Sequence, residues 1–165
     1  TISSHNLDSG MERSTHMNRT TVFLVNIRRI IKLHECMLKE ICEQYGLTLI
    51  EATIISFLHN NPGKDTAADI VEIRMVSKGN VSQAVESLIQ KSLLERKQDT
   101  ADRRRIHLFL QPSAEPIIES MDRLLNQFQK EVFEGLSDEE RELFHRVEDR
   151  ISENTKNAMI RREMQ

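Results

Sequence analysis

The sequence predicts a mainly α-helical fold with one small β-hairpin. Apolar residues recur at helical spacing through most of the 165-residue chain. Only five Gly and three Pro interrupt it, which favours long helices over many short strands. Between residues 94 and 110 the pattern changes to an alternation of apolar and polar positions, which is typical of two short strands.

Residues 1–18 are expected to lie outside the folded domain. The segment is polar, lacks a periodic pattern and is rich in Ser, His and Asn. The run from Ser14 to Met17 resembles a cloning junction. We therefore interpret this segment as disordered or as derived from an expression vector.

Two helices are predicted before residue 60. The first runs from Thr21 to about Tyr45 and should end at Gly46, because glycine tolerates the left-handed turn that follows a helix. Thr48 and Glu51 then form a capping-box pattern, so a second helix is expected to reach about residue 59. The apolar stripe of the first helix is Leu24, Ile27, Ile31, Leu38 and Ile41, with His34 on the same face.

Two further helices and a hairpin follow. A capping pattern at Thr66 opens a third helix that ends near Arg74, and Ser77 can cap a fourth helix that runs to about Ser92. The strands are predicted at 94–98 and 106–110, joined by a polar loop. The outer face of the fourth helix is formed by Lys78, Asn80, Ser82, Gln83, Glu86 and Gln90.

Two long helices complete the predicted chain. Pro112 and Pro116 mark the start of the fifth helix, and Gly135 ends it. Ser137 has the pattern of a cap for the last helix. The inward positions of that helix are Leu143, Phe144, Val147 and Ile151.

This order of elements predicts a winged helix-turn-helix between residues 48 and 110, and therefore double-stranded DNA as partner. A helix fits the major groove, and short polar side chains on its exposed face can contact base edges. The segment 94–107 holds five cations and three anions in a chain of net charge −3. An arginine at the hairpin tip can enter the minor groove. Asp102 is expected to pair with Arg104 or another tip arginine and to fix its orientation.

Several features of this region resemble the MarR family of winged helix-turn-helix transcriptional regulators. The similarity covers about residues 21–162 and is most specific at the Asp-Arg-Arg motif of the hairpin. The matching residues are Val76-Ser77-Lys78-Gly79-Asn80-Val81-Ser82-Gln83-Ala84-Val85, Leu88, Leu93-Leu94-Glu95-Arg96, Asp99 and Asp102-Arg103-Arg104.

The resemblance implies a sequence-specific regulator that acts as a homodimer on a near-palindromic operator, as a ligand-responsive repressor. The implied regions are 47–111 for DNA binding and 19–46 with 112–162 for dimerisation, the latter through Leu24, Ile27, Ile31, Leu143, Val147 and Ile151. The implied groove-facing residues are Ser77, Lys78, Asn80, Ser82 and Gln83. Arg104 is the implied minor-groove residue, with Arg103 and Arg105 beside it, one of which is expected to brace the strand.

The sequence departs from the family at three turns. Ser92 stands where the family often has Gly, and Arg74-Met75 stands where it often has an apolar residue and Gly. After the second strand, Leu110-Gln111-Pro112-Ser113-Ala114 stands where the family usually has Leu-Thr-x-x-Gly. These departures leave the local turn geometry open.

A small effector, an aromatic or other lipophilic anion, is hypothesised to bind between the dimer helices and the winged lobe. It would change the spacing of the two fourth helices and so lower DNA affinity. No stretch approaches the roughly 20 apolar residues of a membrane-spanning helix, and no signal-peptide pattern is present. We therefore expect a cytoplasmic protein with no membrane partner.

The alternatives are a non-catalytic protein-interaction dimer, favoured by the acidic net charge, and a redox- or metal-sensing regulator of the same fold. Redox sensing would use Cys36 or Cys42, and zinc sensing His34, His107 and His145. A metalloenzyme centred on Glu142 and His145 is a further rival, but that Glu-x-x-His step occurs once. The sequence contains no recognisable nucleophile–base pair, phosphate loop or dinucleotide motif. We therefore do not expect the chain to be an enzyme, and we do not expect it to need a cofactor or a metal.

Overall fold

The computed structural model describes residues 17–164, so the expectation for residues 1–18 falls almost wholly outside the described part. Within it the helices are α1 Arg19–Tyr45, α2 Leu49–Asn60, α3 Ala67–Arg74, α4 Lys78–Gln90, α5 Glu115–Val132 and α6 Asp138–Glu163. The strands are β1 Leu94–Gln98 and β2 Ile106–Leu110, and a 3-10 helix spans Pro112–Ala114. The predicted fold class, mainly α with a β-hairpin wing, is confirmed.

Side-chain caps begin the helices where the sequence predicted them. Capping boxes are present at Thr48, Thr66 and Ser137, and in the first the Thr48 N–H donates to Glu51 Oε2 over 2.7 Å. The Ser77 hydroxyl accepts the Asn80 N–H at 3.2 Å and begins α4. The sequence analysis missed Asn18, which caps α1 and starts it two residues before the predicted Thr21.

Two turns whose geometry the sequence did not predict adopt the left-handed conformation that is typical of glycine, although neither contains glycine. Met75, after α3, has φ 51°, and Ser92, two residues after the end of α4, has φ 58°. For an L-residue this left-handed conformation costs about 1–2 kcal/mol, because Cβ approaches the following carbonyl. The left-handed Ser92 also ends α4 at Gln90, two residues before the predicted boundary.

One hydrophobic core connects the winged region with α1 and α5. Its most buried side chains come from α2, α3, α4 and α5 and include Ile54, Ile55, Ile70, Leu88 and Met121. Leu38 and Ile41, in the second half of α1, are buried in the same cluster. The core therefore crosses both boundaries of the predicted 47–111 region.

The first half of α1 and the whole of α6 lie outside this core. No residue of α6 is buried, and the buried residues of α1 begin at Leu38. Exposed apolar side chains instead form stripes along both helices, with Leu24 54% and Leu143 53% exposed. The other stripe members are Ile27, Ile31, Val147 and Ile151. A single chain thus leaves these two faces uncovered.

Within residues 17–164, no helix on its own has the length and apolar composition to cross a membrane. Arg19–Tyr45 and Leu49–Asn60 meet that test only as a pair bent by 102°, by length and composition alone.

Candidate nucleic-acid interface

α4 separates an apolar face from a polar face. Val81, Ala84, Val85 and Leu88 are buried against the core, as the periodicity predicted. The opposite face is solvent-exposed and contains the predicted groove-facing side chains of Lys78, Asn80, Ser82 and Gln83. The Ser77 hydroxyl oxygen is engaged at the helix cap, and its proton remains available to a further acceptor.

The polar face of α4 lies between α2 and the hairpin. Asn80 and Gln83 border a small cleft of about 240 Å³ shared with Thr48 and Glu51 at the start of α2. On the hairpin side, Arg96 Nη2 of β1 lies 2.9 Å from Glu86 Oε2. Side chains from three elements therefore border one continuous polar surface.

The cations of the hairpin fall into two groups. Arg96 pairs with Glu86, and Lys97 Nζ lies 2.5 Å from Glu95 Oε1, so both charges are neutralised locally. Arg103, Arg104 and Arg105 are exposed and have no ion-pair partner in the part of the chain that the structure describes. The unneutralised positive charge is thus concentrated at the tip.

The hairpin tip is shaped by aspartates that bind backbone amides. Asp99 Oδ1 accepts the N–H groups of Ala101 and Asp102, each over 2.7 Å. With His107 as a further donor, these bonds lower the pKa of Asp99 to about 2, the Asp102 N–H contributing most. Such local bonds define the turn that projects the arginines.

The structure corrects the predicted role of Asp102. Its Oδ1 accepts the backbone N–H of Arg104 at 3.0 Å, and no described arginine side chain forms an ion pair with it. A carboxylate two residues before an amide reaches it within an Asx turn, whereas a long guanidinium on an exposed loop gains little from pairing. Asp102 therefore shapes the backbone at Arg104 and leaves the guanidinium unpaired.

His107 is a site residue whose role the sequence analysis missed. Its Nδ1 lies 2.7 Å from Asp65 Oδ1 and its Nε2 lies 2.9 Å from Asp99 Oδ2. These carboxylates, Asp99 first, raise the pKa of His107 above its ordinary value. Asp65 is 42 residues away in the chain, so no local pattern indicated this contact.

A cleft of about 960 Å³ lies between α1, α2, α5 and the turn before α4. Its walls are mainly apolar, and its titratable side chains are His34, Glu35 and Arg74. Burial, and then the charge of Arg74, lower the pKa of His34, while burial lowers that of Arg74. The sequence analysis noted Arg74 only as a departure from the family pattern.

Within the described residues 17–164, no group of three His, Cys, Asp or Glu is arranged for a metal ion. The three histidines proposed for zinc lie apart: His34 packs on Phe128 with ring centroids 5.3 Å apart, His107 lies in the hairpin, and His145 contacts Glu148. Cys42 is buried, and burial raises the pKa of its thiol. A protonated thiol is a poor redox sensor. Cys36, the other cysteine of the redox alternative, is exposed to solvent.

Comparison with known sequences gives a match to a model of the MarR family over residues 45–105. The matched segment begins at the end of α1 and ends at the hairpin tip. It therefore contains α4 and the three tip arginines.

Solved structures with the same fold cover most of the chain. Bordetella bronchiseptica BpsR, whose DNA binding is regulated by 6-hydroxynicotinic acid, matches with 23% identity and a TM-score of 0.61 over 79% of this chain and 98% of its own. A MarR-family regulator from Silicibacter pomeroyi matches with 18% identity and a TM-score of 0.71, over 82% of this chain and 90% of its own. S. aureus MepR, solved as a complex with DNA, matches with 20% identity and a TM-score of 0.65, over 84% of this chain and 98% of its own. At these identities the matches show a common fold.

Proposed function

We propose that this chain, which has the winged-helix fold and matches a MarR-family model over residues 45–105, belongs to that family and is a sequence-specific DNA-binding transcriptional regulator. The observation that carries the proposal is the exposed surface formed by α4 and the hairpin tip. It combines uncharged hydrogen-bonding side chains on α4 with three arginines that lack ion-pair partners in the described chain. Such a surface offers base contacts from the helix and backbone or minor-groove contacts from the tip. S. aureus MepR, which has this fold, was solved bound to DNA.

The functional unit in this proposal is a homodimer. The uncovered apolar stripes of α1 and α6 supply a surface that a second copy would bury. A twofold dimer presents two α4 helices, so its operator is near-palindromic with half-sites about 10 base pairs apart. This assigns dimerisation to Leu24, Ile27, Ile31, Leu143, Val147 and Ile151.

The cleft beside Arg74 supports a ligand-responsive repressor. Its volume lies in the range of small-molecule sites, and Arg74 has no ion-pair partner within residues 17–164. An apolar cleft with one unpaired guanidinium suits an aromatic or lipophilic anion. Met75 and Val76 line the cleft immediately before Ser77, so an occupant would displace the start of α4 and weaken operator binding.

The DNA-binding proposal is tested by selection from genomic fragments followed by fluorescence anisotropy. We expect a near-palindromic site, and we expect Gln83→Ala to weaken binding to it by about tenfold or more, since base contacts are each worth ~1–3 kcal/mol. Gln90→Ala is the matched control, because Gln90 lies at the far end of the same exposed helix. Failure to select any site, together with no salt-dependent binding, would overturn the proposal in favour of a protein-interaction dimer.

The ligand proposal is tested by titrating benzoate and 6-hydroxynicotinate into the operator complex, with neutral benzamide as the matched control. Both anions are expected to lower operator affinity and benzamide to leave it unchanged. Arg74→Ala should abolish the response, whereas Arg123→Ala on α5, whose residue does not line the cleft, should preserve it. An equal response to benzamide, or one that survives in Arg74→Ala, would contradict the assignment.

A further inference from the structure

His107 joins the hairpin to the helix-turn-helix through two carboxylates. Asp65 lies in the loop before α3, and Asp99 lies at the start of the hairpin loop. Asp99 also accepts two backbone N–H groups of that loop through its other oxygen. One imidazole thus connects α3, which precedes α4, with the loop that presents the arginines.

This geometry favours the doubly protonated ring. Two carboxylates at hydrogen-bond distance require an N–H on both ring nitrogens, and the neutral imidazole has only one. The pKa of His107 is accordingly raised above 6.5, by Asp99 first and then Asp65. When the proton is lost, one carboxylate faces a nitrogen lone pair, so the connection to Asp65 or to Asp99 is lost.

The remaining charged groups around the ring come from β1 and the loop before α3. Lys97 is the cross-strand partner of His107, but its ammonium is directed at Glu95 and over the Phe109 ring, 5.1 Å from its centroid. Thr66, which bridges to His107 through the backbone, binds the Asp69 carboxylate within its own capping box. The two carboxylates that contact the ring are therefore those that govern its titration.

We propose that His107 is a positioning residue for DNA binding: as imidazolium it fixes the hairpin tip against the start of α3, and as neutral imidazole it releases the tip. The proposal rests on the proposed function, because its consequence is a pH-dependent affinity for the operator. A folded-state pKa above the ordinary value means that the clamp is complete below about pH 6.5. It is lost as the pH rises through the raised pKa of His107.

The first test uses the free protein. Two-dimensional NMR of the imidazole should give a pKa above 6.5 for His107, and amide exchange in residues 99–105 should accelerate beyond the intrinsic pH effect as the ring loses its proton. Glu95 and Lys97 on β1 provide reference amides for the intrinsic effect. An ordinary His107 pKa, or tip amides that follow the reference at every pH, would overturn the proposal without any DNA measurement.

The second test measures operator affinity between pH 6 and pH 9 at constant ionic strength. Wild-type affinity should fall as the pH rises. The fall should be roughly tenfold for each unit by which DNA binding raises the pKa of His107. His107→Gln, which stays neutral, should show weak affinity and a flat profile. His145→Gln, which removes an exposed histidine of α6, should keep the wild-type profile.

Asp65→Asn distinguishes the clamp from a direct contact between His107 and a phosphate. The clamp predicts weaker binding and a reduced pH dependence, because the ring loses one of its carboxylates. A direct contact predicts tighter binding, because Asp65→Asn removes an anion 2.7 Å from the His107 ring; tighter binding would overturn the proposal. If no DNA binds at any pH while the NMR titration is as expected, the proposed function fails, and the positioning role fails with it.

Discussion

Ser92 holds a backbone conformation that glycine adopts at lower cost. Its φ of 58° follows α4, and the next residue, Leu93, returns to the core, where it is buried. We predict that Ser92→Gly raises the free energy of unfolding by about 0.5–1 kcal/mol, because relief of the left-handed strain exceeds the entropy of the added glycine.

Urea unfolding at a fixed protomer concentration measures this effect. Ser82→Gly, in the middle of α4, is the matched control and should lower stability by about 0.5–1 kcal/mol. A loss of stability in both variants would show that the Ser92 turn is not strained.

Glu51 is a buried carboxylate that ties α2 to the end of α4. Its side chain is 2% exposed, and Lys91 Nζ lies 2.8 Å from Oε2 while also donating to the Gly46 carbonyl. Burial raises the pKa of Glu51, but hydrogen bonds from Lys91, Ser87 and the Thr48 N–H outweigh it and leave the pKa below 4.5. The ion pair therefore stabilises the protein above pH 4.5, and its contribution is lost as the pH falls through the lowered pKa.

We predict that Glu51→Gln lowers the free energy of unfolding at pH 7 by about 1–2 kcal/mol. Glutamine preserves the capping box, and the partly exposed Lys91 can turn to water, which limits the loss. The difference from wild type should shrink below pH 4.5 in chemical unfolding at several pH values. Glu140→Gln, at the same cap position in exposed α6, should show little change; a pH-independent deficit for Glu51→Gln would contradict this account.

Individual site residues differed in how far the sequence could predict them. Exposure of Gln83 and burial of Leu88 follow from helical periodicity, so their positions on α4 were predictable. Asp102 was placed correctly in the loop. A sequence pattern does not show, however, whether its carboxylate pairs with a guanidinium or accepts a backbone N–H. Arg74 and His107 depend on tertiary packing between distant segments, which periodicity does not encode.

At the scale of elements, α6 is a 26-residue helix with no buried residue. Helices in folded proteins gain most of their stability from packing of an apolar face, so α6 needs a partner along Leu143, Val147 and Ile151. We predict that Val147→Asp shifts the protein from dimer to monomer by roughly tenfold or more in the dissociation constant, since it places a charge in the interface.

Analytical ultracentrifugation over a concentration series measures this dissociation. Ser152→Asp adds the same charge to the opposite, exposed face of the same helix and should leave the dimer intact. A monomeric wild type, or equal dissociation of both variants, would contradict the assignment of α6 to the dimer.

Element boundaries were predictable where a capping side chain marks them. The starts of α2, α3, α4 and α6 follow from Thr48, Thr66, Ser77 and Ser137. The end of α4 was misplaced because Ser92 adopts a left-handed φ that its residue type does not favour. Met75 is also left-handed, but the end of α3 at Arg74 was predicted correctly.

At the scale of the whole molecule, one core links the cleft and the helix-turn-helix with α1 and α5. α1 contributes Leu38 and Ile41 to the core and exposes Leu24 and Ile31 beyond it. Ile31 also lines the cleft. A ligand in the cleft would therefore contact α1 and the residues that precede α4 at once. The sequence predicted this arrangement in outline, but the volume and charge of the cleft required the fold.

The salt dependence of operator binding tests the central claim most directly. Affinity should fall with rising salt, and Arg104→Ala should weaken binding and reduce the slope by about 1 per protomer, because an unpaired tip cation is removed. Arg96→Ala, whose charge is already neutralised by Glu86, should leave the slope close to that of the wild type. Salt-independent binding, or a slope that Arg104→Ala does not change, would contradict the account.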